Sequence, residues 1–161
     1  MTSQCKFVPR WKTLLFFVAI IAIVACAKSL TPDAQVRAAI AQAETAAEKK
    51  DIGALKGLIS DKYSDSQGQD KRAVESVLRF VLLRNESVYL LTRVHAISFP
   101  EKDRALAVVT VAMAGQPVKS AQELERVRAN LYRFEFTWAR EADQWRVWRA
   151  EWRPAEIGDF L

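Results

Sequence analysis

The chain has 161 residues, half of them hydrophobic, which suits one domain with a real core and not comfortably two. Its net charge is +5, but Lys6, Arg10 and Lys12 lie in an acid-free stretch, residues 1–25. Setting those three aside leaves +2 on an ordinary mixed surface, not the clustered basic face that nucleic acid requires.

The first element is N-terminal. A short basic segment precedes fifteen uncharged residues, Thr13 to Ala27. A membrane-spanning helix needs roughly 20 apolar residues, so the run has the length of a signal-peptide core. It ends Ile23-Val24-Ala25-Cys26. This resembles the lipobox of bacterial lipoproteins, with Ile23 where Leu is usual and Val24 larger than usual. The resemblance implies cleavage before Cys26, a lipid on its sulfur, and an acylated amine. Residues 1–25 are then the signal peptide and 26–30 the tether. An uncleaved membrane anchor is the alternative, and both place the domain outside the cytoplasm. Ala27 and Lys28 follow the cysteine, with no Asp there, and the resemblance to enterobacterial lipoproteins then implies a periplasm-facing outer-membrane location rather than inner-membrane retention. Only Cys26 survives such cleavage, so no internal disulfide is expected. With one histidine, His95, there is no His/Cys metal cluster, and no cofactor is implied.

The folded part is expected over residues 31–154. Thr31 is a candidate N-cap with Pro32 at the first helical position. Val36, Ala39, Ile40, Ala43 and Ala47 then follow at helical spacing to about Lys50. Asp51 caps a short second helix with a stripe of Ile52, Leu55, Leu58 and Ile59. Ser60 to Gln69 is polar. Asp70 caps a third helix, about Lys71 to Arg84, with Val74, Val77, Leu78, Val81 and Leu82 in one stripe and Glu75 and Arg79 paired at i, i+4.

From Ser87 the period becomes two. Val88 to Phe99 and Arg104 to Ala114 form a hairpin across Pro100-Glu101-Lys102-Asp103. Ser120 and Glu123 read as a capping box opening one helical turn. In Leu131 to Arg140, Tyr132, Phe134, Phe136 and Trp138 share one face. In the following strand Trp148, Ala150 and Trp152 share one. These two strands make a second hairpin. The register expected is the one that sets Arg133 opposite Glu151, Glu135 opposite Arg149, Phe136 opposite Trp148 and Tyr132 opposite Trp152. The alternative that sets Glu135 opposite Glu151 brings like charges together. The tail, 155–161, is short, with Ile157 and Phe160 able to dock.

Three helices followed by two hairpins is an α+β order. With Asp51-Ile52-Gly53-Ala54-Leu55 entering a helix, Leu58 to Asp65 with its Tyr63, and the closing Gln144-Trp145-Arg146-Val147, the chain resembles the nuclear transport factor 2-like (NTF2-like, SnoaL-like) superfamily. The resemblance implies three N-terminal helices packed on a curved antiparallel sheet, shaped as a cone with a pocket at its wide end. Enzymes of that superfamily carry an Asp, His or Tyr in the cone. The positions able to serve are Tyr63, Asp65 and His95. The simpler account makes Tyr63 a core residue, Asp65 a turn former, and His95 a strand histidine bonded to a neighbour. Arg133, Glu135, Arg149 and Glu151 form a charged face that reads as a solvated ion-pair lattice or a partner surface; members often dimerise through it.

The function expected is a membrane-anchored envelope lipoprotein, held by lipid on Cys26, whose domain binds a small apolar ligand or an envelope protein without catalysis. One alternative is an isomerase- or dehydratase-like enzyme moving a proton in the cone. The other is an uncleaved inner-membrane scaffold resembling the periplasmic domains of type IV secretion systems.

Overall fold

The computed structural model describes residues 30–160. Helix α1 spans Pro32–Glu48 and α2 spans Ile52–Gly57. Both start where a capping side chain meets an orphan N–H: Thr31 Oγ1 accepts from Ala34 N–H at 3.3 Å, and Asp51 Oδ1 from Ala54 N–H at 2.9 Å. Helix α3, Lys71–Arg84, starts the same way, with Asp70 Oδ1 accepting from Ala73 N–H at 2.8 Å. Its Glu75 does not pair with Arg79. Glu75 reaches Lys56 Nζ of α2 at 2.8 Å, a contact that only tertiary packing brings within range.

The expected stripe of α2 breaks off at Gly57, and Ile59 instead opens strand β1, Ile59–Asp65. This strand runs parallel to β5 at one sheet edge. Its polarity hides it in the sequence: Asp61 and Lys62 face solvent, as edge strands favour. The others are β2, Tyr89–Glu101; β3, Arg104–Ala114; β4, Ala129–Glu141; and β5, Gln144–Pro154. Sheet order is β1-β5-β4-β3-β2, antiparallel except for β1 and not closed. A short helix α4, Ala121–Leu124, sits between β3 and β4. The expected capping box is only half present: Ser120 makes no side-chain cap bond, while Glu123 Oε2 accepts from Lys119 N–H at 2.9 Å.

The β4–β5 register differs from the expected one. Glu135 does stand opposite Glu151, and Phe136 opposite Ala150, so the rejected alternative is the one adopted there. Nearer the turn the ladder is offset by one residue: Trp138 pairs with Val147 and Arg140 with Trp145. Trp148 is the extra residue, a β-bulge. Two forces set this. The turn has two central residues at positive φ, Ala142 at 47° and Asp143 at 63°, and such turns dictate register from their own end. The bulge then flips the phase, so Trp145 and Val147 before it and Ala150 and Trp152 after it face the same side. Burying that face outweighs the Glu–Glu clash, because both carboxylates are exposed and Arg149 bonds Glu151 at 2.9 Å. Trp148 falls on the outer face, its ring 4.4 Å beneath the Arg104 guanidinium carbon. Since Ala142 holds a left-handed conformation, Ala142→Gly should stabilise the domain by about 1 kcal/mol in chemical denaturation.

The main core lies between α1 and the inner face of the sheet. Val36, Ala39 and Ile40 pack on Ala105, Ala107, Val109, Trp138 and Trp145. A second core covers part of the outer face: Ala112 and Ala114 lie under Val118, Leu124 and Phe160. Phe160 belongs to a 3-10 turn, Ile157–Phe160, and is 3% exposed.

Candidate functional site: an aromatic cone

The inner face of β4 carries an aromatic ladder. Ring centroids step from Tyr132 to Phe134 by 6.1 Å, from Phe134 to Phe136 by 5.1 Å with planes 5° apart, and from Phe136 to Trp138 by 6.0 Å. The strict alternation of β4 puts all four on one side. Burial grades along the ladder. Trp138 is 1% exposed under α1, while Phe136, Phe134 and Tyr132 are half-buried. Trp152 on β5 stands opposite Phe134 and is also half-buried. The ladder is therefore sealed at the Trp138 end and partly exposed along the rest.

One wall is β1. Tyr63 and Asp65 are both buried there, facing the same side as Ala150, and Tyr63 shares a cluster with Phe136 and Trp152. The Tyr63 hydroxyl donates to Asp65 Oδ2 at 3.5 Å. Asp65 Oδ1 accepts from Gln67 N–H at 2.8 Å and Gln69 N–H at 2.9 Å. Burial, and then the Asp65 charge, push the Tyr63 pKa up to about 12, so it is a hydrogen-bond donor across the physiological range. The structure thus brings these two sequence candidates together, with Asp65 holding the loop that follows it.

The opposite wall holds a carboxyl that the sequence reading passed over. Glu44 of α1 is half-buried and hydrogen-bonded by Thr92 of β2. Burial raises its pKa, the Thr92 bond lowers it, and Glu48 raises it again. The signal was available: Glu44 lies four residues after Ile40, on the stripe that packs inward. Thr92 and Asp65 lie on β2 and β1, the two sheet edges, four strand spacings or about 19 Å apart along the sheet.

No protein-family model matches the sequence, and no curated protein matches it either. Solved structures do. An NTF2-like family protein from Streptomyces avermitilis is 20% identical with a TM-score of 0.61, covering 78% of this chain and 99% of its own. A ketosteroid isomerase-like protein from Erwinia carotovora is 14% identical with a TM-score of 0.57, covering 76% of this chain and 95% of its own. A hexachlorocyclohexane dehydrochlorinase from Novosphingobium barchaimii is 13% identical with a TM-score of 0.58, covering 77% and 86%. The chain has the NTF2-like fold.

In this NTF2-like domain His95 is outside the cone. The β2 ladder shifts between Val94 and Ala96, and the bulge at His95 turns Ile97 and Phe99 inward while His95 stays outward with Arg93. The sequence face that joined His95 to Ile97 and Phe99 is therefore split. His95 Nε2 lies 2.7 Å from Thr110 Oγ1, on the face opposite Tyr63 and Asp65. Burial, then the Arg133 and Arg93 charges, hold its pKa below the ordinary 6.5 against an opposing pull from Asp159. A depressed folded-state pKa means the unfolded chain takes up the proton more readily. The stabilising share of His95 is thus full above 6.5 and is lost as pH falls through the folded value. His95→Gln should flatten the fall in stability between about pH 7 and pH 5, read from denaturant midpoints.

The charged outer face of the NTF2-like domain is assembled differently from its sequence pattern. Arg133 turns to Asp159 of the C-terminal turn at 3.9 Å, joined by Arg153 at 3.6 Å, so the docked tail covers one end of the face. Arg149 and Glu151 pair along one strand, and Glu135 is exposed. The surface available to a partner is the remainder, around Glu135, Arg149 and Glu151. Among the described residues no group of three or more His, Cys, Asp or Glu could hold a metal ion, and no helix is long and apolar enough to cross a membrane. Cys26 lies outside the described residues.

Proposed function

We propose that the protein is a lipid-anchored envelope protein whose NTF2-like domain binds a small, flat apolar ligand on the aromatic ladder without transforming it. The observation that carries this reading is the grading of Tyr132, Phe134 and Phe136 from half-open to sealed at Trp138. Stacked, half-buried rings offer a large apolar surface at little conformational cost. Two of the acid–base candidates are otherwise engaged: Asp65 accepts two backbone N–H groups, and His95 faces away from the cone. Support for the anchor is the sequence Ile23-Val24-Ala25-Cys26 behind its short apolar run.

The test is titration of the full chain, held in nanodiscs, with 1-naphthol, reading tryptophan fluorescence against empty discs. Saturable quenching is expected, weakened about tenfold in Phe134→Ala. A linear, unsaturated response in the wild type would remove the ligand-binding reading. Radiolabelled palmitate should label the wild type and not Cys26→Ala. An unlabelled, uncleaved wild type would point to the inner-membrane scaffold instead.

A further inference from the structure

Helix α3 leaves a face without a partner among the described residues. Its buried side packs through Leu82, with Val74 and Leu78 half-buried beside it. On the far side Val77, Phe80 and Leu83 are 45%, 62% and 66% exposed. Their spacing of three residues sets them in one strip. They account for three of the seven exposed large hydrophobic residues in the described chain, concentrated on 14 residues of helix. Exposed Arg72, Arg79 and Arg84 accompany the strip, and Arg84 lies 5.8 Å over the Phe80 ring. None of the three arginines pairs with a carboxylate among the described residues. The helix's one acid, Glu75, is turned to Lys56 at 2.8 Å. The exposed face of α3 is therefore apolar and cationic, with an open depression of about 480 Å³ along Ser76, Arg79, Phe80, Leu83 and Arg84.

We propose that this face docks on an anionic phospholipid surface. Leu and Phe flanked by basic residues, with no acid among them, is the chemistry of an interfacial helix. A protein partner fits less well. A strip about 21 Å long and about 10 Å wide offers roughly 200 Å², against about 800 Å² on each side of a stable interface. A membrane contact needs no such area when the chain is already tethered, because the anchor supplies a high effective concentration. The tether itself rests on the lipid-anchored reading proposed above. Cys26 and Pro32 are six residue steps apart, at most about 22 Å of extended chain, so an anchor at Cys26 keeps the domain near the bilayer.

The experiment is amide hydrogen exchange on the full chain in phosphatidylcholine vesicles with and without phosphatidylglycerol. The peptide covering residues 71–84 should exchange roughly tenfold more slowly when phosphatidylglycerol is present. The charge-reversed Arg79→Glu variant should lose that difference, and Leu83→Ser should weaken it, while the β3–β4 peptides stay unchanged in both. Equal exchange in the two vesicle types overturns the proposal. So does protection that depends on protein concentration and not on lipid charge, which would mark self-association. The palmitate label reports separately on the anchor, and the exchange difference can be read whether the chain is held by lipid or by an uncleaved helix.

Discussion

Trp138→Ala is expected to lower folding stability by about 3–5 kcal/mol, the range for deleting a large aromatic from a packed core. Trp138 is 1% exposed and meets α1 residues Val36, Ala39 and Ile40 across β3 residues Ala105, Ala107 and Val109. Those three β3 side chains are small and cannot reach across to refill the space. The edge of Trp138 also contacts Phe136, the next ring of the ladder, at 6.0 Å. The variant should therefore loosen the sealed end of the cone as well as the core, and naphthol binding should weaken with it. Its indole Nε1 is buried without a hydrogen-bond partner among the described residues, so Trp138→Phe removes an unsatisfied donor and should cost clearly less. Urea unfolding of the three proteins measures both differences. Equal losses for Ala and Phe would mean that the core cannot close around a phenyl ring, and would overturn the expected order.

The second large effect is expected at Asp65. Asp65→Ala should cost about 2–3 kcal/mol, because it strips acceptors from two loop N–H groups and from a buried tyrosine hydroxyl. Asp65→Asn keeps an oxygen where Oδ1 stands, so it should cost less than about 1 kcal/mol. Hydrogen exchange in the segment after Asp65 should rise in the alanine variant and stay near wild type in the asparagine one. If asparagine is as damaging as alanine, the negative charge itself is required, and the turn-anchoring account of Asp65 fails.

Where one local rule governs, the sequence is a sufficient guide. Thr31, Asp51 and Asp70 each cap the helix they precede, because the bond runs to an N–H three residues on. The Val74–Leu78–Leu82 stripe placed α3 within its observed bounds, Lys71–Arg84. The same stripe logic took in Val77, which the fold leaves exposed. A periodic pattern shows that a face is apolar and not whether anything covers it. The candidate site was half legible. Tyr132, Phe134, Phe136 and Trp138 are readable as one face from alternation alone, and Tyr63 and Asp65 as neighbours on one strand face only once Ile59–Asp65 is known to be extended. Spacing from Ile40 puts Glu44 on the inward stripe, but its bonding partner Thr92 is forty-eight residues away in the chain and only the fold brings it there.

The sequence by itself determined the helices, the β2–β3 and β4–β5 hairpins and the aromatic content of the cone, since each rests on spacing or capping within a few residues. Only the tertiary structure decided the phase of the strands. The bulges at His95 and Trp148 each add one residue to one strand, and every side chain beyond them changes face. Where that extra residue goes depends on what both faces must bury at once: α1 and the ladder on the inside, Phe160 and its neighbours on the outside. That balance moved His95 out of the cone, paired Glu135 with Glu151, and left Trp148 under Arg104, because solvent-exposed charges are worth tenths of a kcal/mol and a buried aromatic face is worth several.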